Sequence, residues 1–141
     1  MHMKSHSEFK CIIPVQMRFN DIDGQRHVNN AVYQSYYDLG RSGYFTAIKG
    51  ASYEPGGRSV VIASIRTDFF IPIFFNNSIQ VESRVSKVGN KSLTMLQRIT
   101  DSFSGEIKST CTTIFAGFDY STQKSIVIPD EIRQAIEKYE R

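Results

Sequence analysis

The chain has 141 residues, including ten Phe and seven Tyr, and carries a formal net charge of +3. This length suits one domain with a single hydrophobic core, and no apolar run reaches the roughly 18 residues of a membrane span. Lys and Arg are scattered without a basic run, which argues against nucleic-acid binding. We therefore expect a single domain over residues 1–141, with neither nucleic acid nor a membrane as partner.

The N-terminal residues carry no apolar segment of the kind found in secretory signals. We expect residues 1–7 to be disordered and take a cytoplasmic location as the default. Cys11 and Cys111 are far apart in sequence and lack the spacing of a disulfide framework or a metal site. We predict no metal and no cofactor.

The first predicted strand covers residues 8–19, where apolar and polar side chains alternate as in a half-buried strand. Pro14 lies within it and cannot donate a backbone hydrogen bond. The strand is therefore predicted at an edge of the sheet or at a bulge.

A polar segment, residues 18–33, separates this strand from a predicted helix and contains Asp21, Asp23, His27, Asn29 and Asn30. An asparagine before a helix is a natural N-cap, and the unpaired N–H groups of a helix start can stabilise an oxyanion. In an extended segment Asp21 and Asp23 would point to the same side, where one carboxylate could face a cleft. The Asp-Ile-Asp-Gly sequence is equally typical of a turn.

Bulky residues recur at helical spacing from Tyr33 to Ile48. Gly40 and Gly43 lie within this helix, where each glycine costs up to about 1 kcal/mol relative to alanine. Close approach of a sheet would explain them, and a helix broken at Gly40 is the alternative.

Four more strands are predicted, at residues 59–71, 79–86, 93–100 and 107–118, with a Gly-Asn turn joining the middle pair as a hairpin. A C-terminal helix is predicted over residues 129–140, with Pro and acidic residues in its first turn. The order β-α-β-β-β-β-α, with one long helix among antiparallel strands, implies an α+β fold in which the sheet wraps the helix.

The pattern Asp21-x-Asp23-x-x-x-His27-Val28-Asn29-Asn30-x-x-Tyr33-x-x-Tyr36, followed by Arg41, resembles the signature of hotdog-fold acyl-CoA thioesterases of the 4-hydroxybenzoyl-CoA thioesterase type. The similarity extends from about Phe9 to the last helix. The His-Val-Asn-Asn run is also similar to that of plant acyl-carrier-protein thioesterases. The resemblance implies a homodimer of sheets joined edge to edge, commonly paired into a homotetramer, with active sites between subunits.

The resemblance assigns the chemistry to Asp23, either as a general base that activates water or as a nucleophile that forms an anhydride. Asp21 would order the loop through backbone N–H groups. His27 would orient water or substrate, although a lone histidine is as readily structural. Asn29 and Asn30 would fix the helix start and thereby contribute to substrate binding.

Four further residues are assigned to substrate binding. Arg26 stands where many relatives have Gly, and its charge could bind a phosphate or an acidic acyl group. Arg58, Lys91 and Ser92 lie beside glycine-containing turns, whose N–H groups are available to the phosphates of coenzyme A. Each of these charges could equally be an ordinary surface group.

The resemblance therefore predicts an acyl-CoA thioesterase that releases free acid and coenzyme A without a cofactor. An acyl-carrier-protein thioesterase and a hotdog protein that binds the thioester without hydrolysis are alternatives. Dehydratases of the same fold fit less well, because they lack the His-Val-Asn-Asn run.

Overall fold

The computed structural model describes residues 8–49 and 57–141, so the prediction for residues 1–7 lies outside the described ranges. The regular elements are β1 (Cys11–Val15), α1 (Tyr33–Lys49), β2 (Arg58–Phe69), β3 (Ile79–Val88), β4 (Ser92–Asp101), β5 (Ile107–Asp119), β6 (Lys124–Ser125) and α2 (Asp130–Glu140). Two single 3-10 turns, Phe19–Asp21 and Asn30–Val32, lie near the two ends of the polar segment. No helix within the described ranges is long and apolar enough to cross a membrane.

The strands form one antiparallel sheet in the order β1-β3-β4-β5-β2, and β6 adds to β5. Helix α1 packs on this sheet and buries a row of tyrosines, Tyr33, Tyr36, Tyr37 and Tyr44. The predicted α+β hotdog fold, a sheet wrapped around one long helix, is confirmed.

Several predicted boundaries differ from the observed ones. The first strand stops at Val15 and not at residue 19, because the chain folds into a 3-10 turn in which the Asp21 carboxylate accepts the Arg18 N–H. Helix α1 begins at Tyr33, directly after the other 3-10 turn. The edge position of β1, inferred from Pro14, is confirmed by its pairing with β3.

The two helix glycines lie where the sheet comes closest. A Cβ added at Gly40 would be 2.6 Å from Gln97 Nε2 and 2.9 Å from Val81 Cγ2, and one added at Gly43 would overlap Ile13 Cδ1. The helix is continuous through both positions. The glycines are therefore explained by close packing, and the alternative of a broken helix is wrong.

We predict that Gly40→Ala lowers the free energy of unfolding by about 1–3 kcal/mol, since overpacking outweighs the gain in helix propensity. Gln97 has little freedom to move, because its Nε2 already donates to the Tyr37 carbonyl and to Ser83 Oγ. Urea denaturation measures the change, and Ser35→Ala on the exposed face of α1 is the matched control. A Gly40→Ala protein as stable as the control would contradict the packing argument.

Candidate active site

Asp21 joins the polar segment to helix α1 from a buried position, with 4% of its surface exposed. Its carboxylate accepts hydrogen bonds from the Arg18 N–H at 2.9 Å and from the Tyr36 hydroxyl at 2.7 Å, and its carbonyl accepts the Asn29 N–H at 2.9 Å. Burial, and next the hydrogen bond to this carboxylate, raise the pKa of Tyr36. Asp21 thus orders the loop, as the sequence predicts.

Asp23 lies in a turn that follows, with its side chain 32% exposed. Its Oδ1 accepts the Gln25 N–H at 2.9 Å, and its carbonyl accepts the Arg26 N–H at 3.0 Å. The turn interpretation of Asp-Ile-Asp-Gly is therefore correct for the backbone. The expectation that both carboxylates face the same side is wrong, because Asp21 ends a 3-10 turn and points into the core.

His27 is the nearest titratable neighbour of Asp23. Its Nδ1 lies 3.7 Å from Asp23 Oδ2 and 3.3 Å from the Val28 carbonyl, and its Nε2 lies 3.1 Å from Gln25 Oε1. The imidazole is 27% exposed. The structure thus brings a carboxylate and an imidazole together in a partly exposed part of the polar segment.

Arg26 adopts a left-handed backbone conformation with φ of 70°. This region favours glycine and costs a residue with a side chain about 1–2 kcal/mol. A glycine at this position would avoid that cost. The exposed Arg26 side chain lies in the turn that carries Asp23.

The helix start has the predicted cap. Asn29 Oδ1 accepts the Ala31 N–H at 3.0 Å, and the Asn29 carbonyl accepts the Val32 N–H at 2.8 Å. Among the residues that the structure describes, the Asn30 N–H has no hydrogen-bond acceptor. An unpaired amide at a helix start is the type of donor that stabilises a developing oxyanion.

A cavity of about 160 Å³ adjoins this helix start and separates it from the end of β2. His27 and Asn30 form its polar side, while Tyr33, Phe69 and Phe70 contribute its apolar side. The rings of Tyr33 and Phe69 are in edge contact at 4.9 Å. Asp23 does not line the cavity itself, but its neighbour His27 does.

Arg58, Lys91 and Ser92 lie at the opposite end of the sheet. Arg58 pairs with Asp119 and Ser92 with Ala116, whereas Phe69 at the cavity pairs with Ser109. At about 3.3 Å per residue, the two ends of β2 are about 36 Å apart. A single chain therefore does not bring these three residues to the cavity, and their assignment stays a prediction.

Arg58 shares a cavity with acidic residues at its end of the sheet. It lines a cavity of about 230 Å³ together with Asp130 and Glu131 at the start of α2.

Tyr36 and Tyr37 belong to the core, where their hydroxyls donate to Asp21 and to Ser109. Phe69 and Phe70 line the cavity. Sequence reasoning missed Gln34 and Thr67, whose side chains meet at 2.7 Å between α1 and β2. Gln34 and Thr67 are far apart in sequence, and single polar residues of this kind are common on solvated surfaces. No sequence signal therefore identifies them.

Residues 17–136 match the profile of a family described as the thioesterase-like superfamily. The chain belongs to this superfamily. The prediction of a thioester hydrolase is thereby confirmed at the level of the family.

Individual relatives agree with this assignment. The chain is 22% identical over 125 residues to the long-chain acyl-CoA thioesterase FadM of Escherichia coli K12, covering 88% of this chain and 95% of FadM. A thioesterase of Thermus thermophilus, solved with coenzyme A and zinc, is 30% identical with a TM-score of 0.82, covering 94% and 96% of the two chains. The 1,4-dihydroxy-2-naphthoyl-CoA thioesterase of Synechocystis shares the fold, with a TM-score of 0.79 at 14% identity over 92% of this chain and 97% of that one.

We predict that Tyr36→Phe lowers the free energy of unfolding at neutral pH by about 1.5–3 kcal/mol, the usual value of a hydrogen bond to a charged group. The raised pKa of Tyr36 stabilises the folded state below the ordinary tyrosine pKa, and this contribution declines as the pH rises above about 10. Urea denaturation at several pH values should show the difference between the two proteins shrinking above that pH.

In an Asp21→Asn background the same substitution should show weaker pH dependence, because only burial then raises the pKa of Tyr36. A difference between the wild-type and Tyr36→Phe proteins that stays constant with pH would contradict the assigned contact.

Proposed function

We propose that the chain hydrolyses acyl-CoA thioesters to a free acid and coenzyme A at the cavity between the start of α1 and the end of β2. The observation that carries this proposal is the unpaired Asn30 N–H beside His27, at the polar side of a cavity whose other side is aromatic. A thioester presents a carbonyl next to an apolar acyl group, which suits these two sides. Membership of the thioesterase-like superfamily supports the same reaction.

In the proposed mechanism the thioester carbonyl oxygen accepts the Asn30 N–H, which stabilises the tetrahedral oxyanion. Loss of one such donor typically costs about 3–4 kcal/mol in transition-state stabilisation. Asp23 removes a proton from water as the new carbon–oxygen bond forms, and His27 orients the carboxylate or the water. The carbon–sulfur bond then breaks, and the thiolate of coenzyme A leaves and takes up a proton.

A direct attack by Asp23 on the thioester carbonyl is the second route, in which an anhydride forms and water then cleaves it. The 32% exposure of the Asp23 side chain leaves its carboxylate accessible to water or to substrate. Both routes require the same carboxylate and the same oxyanion donor.

We further propose that two copies associate through β2 and that each site is shared between them. Within the described ranges β2 pairs only with β5, so the backbone N–H and C=O groups of its other edge have no partner strand. Such an edge is a template for another strand. Antiparallel pairing of two β2 strands about a two-fold axis would place the second copy's Arg58 beside Phe69 of the first.

We expect purified protein to release thiol from acyl-CoA, and Asp23→Asn to lower kcat by about 10²–10⁴-fold, the usual contribution of general acid–base catalysis. A thiol reagent measures the rate, and size-exclusion chromatography with light scattering checks that the oligomer is unchanged. Glu137→Gln on the exposed side of α2 is the matched control.

Absence of turnover on every acyl-CoA, combined with turnover of acyl-carrier-protein thioesters, would establish the carrier-protein alternative. Absence of turnover on both would contradict hydrolysis. Unchanged turnover in Asp23→Asn would move the chemistry to Asp21 or His27.

The shared site makes a prediction about mixed oligomers. We expect Asp23→Asn and Arg58→Ala each to be impaired alone, whereas a purified heterodimer of the two regains activity. One of its two sites then combines an intact Asp23 with the intact Arg58 of the other subunit.

Co-expression with two different affinity tags yields the heterodimer for this measurement. A heterodimer no more active than its parents would contradict the shared site, since with separate sites each site would still carry one of the two substitutions.

A further inference from the structure

A second cavity lies further along α1. It has a volume of about 460 Å³ and is lined by Asp38, Arg41, Phe45, Ile62 and Phe115, among others. Tyr33 of α1 and Phe69 of β2 line the first cavity, and Arg41 of α1 and Ile62 of β2 line the second. The two cavities therefore lie in line along one groove between α1 and β2.

The stretch of groove between the two cavities is crossed by a band of polar side chains, which we call the polar band: Gln34, Arg41, Thr67, Cys111 and Thr113. Gln34 Nε2 donates to Thr67 Oγ1 at 2.7 Å, and Gln34 Oε1 accepts from Arg41 Nη2 at 3.2 Å. Arg41 Nε donates to Thr113 Oγ1 at 3.3 Å, and Nη2 lies 3.5 Å from Cys111 Sγ. The band thus joins α1 to both β2 and β5.

Arg41 is the centre of this band and is buried, with 5% of its side chain exposed. Its Nη1 donates to Asp38 Oδ1, whose side chain is 67% exposed. A guanidinium has five N–H bonds, and the contacts of Arg41 leave one N–H of Nη1 without an acceptor among the described residues. A buried charged donor next to an open cavity is a binding group for an oxygen atom.

We propose that the groove binds the acyl chain of the substrate and that the polar band selects acyl groups carrying a hydroxyl or keto oxygen at its level. This inference rests on the proposed hydrolysis of acyl-CoA. A saturated chain laid across the band would cover the remaining Arg41 N–H and leave it without a hydrogen bond, which is unfavourable. An oxygen on the chain accepts the remaining N–H of Arg41, and the chain beyond it reaches Phe45, Ile62 and Phe115.

The position of the oxygen follows from the geometry of the groove. Thr67 is two residues from Phe69, about 7 Å along β2, and Arg41 is eleven residues from Asn30, about 18 Å along the 3-10 turn and α1. An extended chain advances by roughly 1.2 Å per bond. The oxygen is therefore expected about 6 to 15 bonds from the thioester carbon.

A neutral oxygen fits better than a carboxylate. The carboxylate of Asp38 already compensates the charge of Arg41 and would repel a second anion. The selected class is therefore a medium-length hydroxyacyl or ketoacyl thioester.

The test compares decanoyl-CoA with ω-hydroxydecanoyl-CoA, using butanoyl-CoA as a substrate too short to reach the band. We expect kcat/KM to be at least about tenfold higher for the hydroxylated substrate, since a site that hydrogen-bonds a hydroxyl discriminates strongly against its absence. Arg41→Met should bring the ratio close to one. Arg66→Met, which alters an 80% exposed arginine of β2, is the matched control and should keep the wild-type ratio.

Asp38→Asn provides a second test at an exposed residue, whose amide oxygen can still accept the Arg41 Nη1 N–H. It should raise kcat/KM for the mono-CoA thioester of decanedioic acid relative to ω-hydroxydecanoyl-CoA, since Arg41 then has an uncompensated charge. If Arg41→Met fails to fold, as judged by circular dichroism, an unchanged ratio in Asp38→Asn overturns the inference.

Failure of the inference and failure of the proposed function are distinguishable. If the wild-type protein has the same kcat/KM for decanoyl-CoA and for its hydroxylated analogue, the polar-band assignment is overturned and the thioesterase proposal still stands. Protein that hydrolyses none of the substrates, butanoyl-CoA included, overturns both.

Discussion

The hydrogen bond from the Tyr36 hydroxyl to the buried Asp21 carboxylate joins the polar loop to the long helix. The same aspartate accepts the Arg18 N–H through its carboxylate and the Asn29 N–H through its carbonyl. One residue therefore fixes the end of the first strand segment, the helix and the cap that precedes the helix. The positions of Asp23, His27 and the Asn30 amide all depend on that anchor, because each lies within a few residues of it.

The packing of α1 accounts for the location of the groove. Gly40 and Gly43 allow one side of the helix to approach β1, β3 and β4 closely. The opposite side, facing β2 and β5, is farther from the sheet and leaves room for two cavities. The thioester site and the polar band thus follow from an asymmetric position of the helix on its sheet.

Much of the fold could be predicted from residue patterns. Pro14 identified an edge strand, the helix glycines identified a close approach to the sheet, and alternation located the main strands. The two 3-10 turns were not predictable, since they depend on which backbone groups the Asp21 and Asn29 side chains satisfy. Periodicity carries no information about such local hydrogen bonds.

The site residues near the helix start could be predicted from the sequence. Those that the packing of the chain brings together could not. Asp21, Asn29 and the turn at Asp23 follow from residue preferences near a helix start, and the resemblance assigned the chemistry. Arg58 was associated with the site because it lies beside a glycine-containing turn, although about 36 Å of strand separates it from the cavity in one chain. Gln34, Thr67 and Arg41 were not grouped, because their proximity is created by the packing of α1 over β2 and β5.

Binding of a non-hydrolysable acyl-CoA thioether, followed by two-dimensional ¹H–¹⁵N NMR, tests most directly whether the helix start holds the substrate. We expect the amide resonances of residues 27–31, which include Asn30, to shift on saturation. Those of Phe69 and Phe70 should shift as well. Shifts confined to the region of Arg58 and the start of α2, with residues 27–31 unaffected, would contradict this expectation.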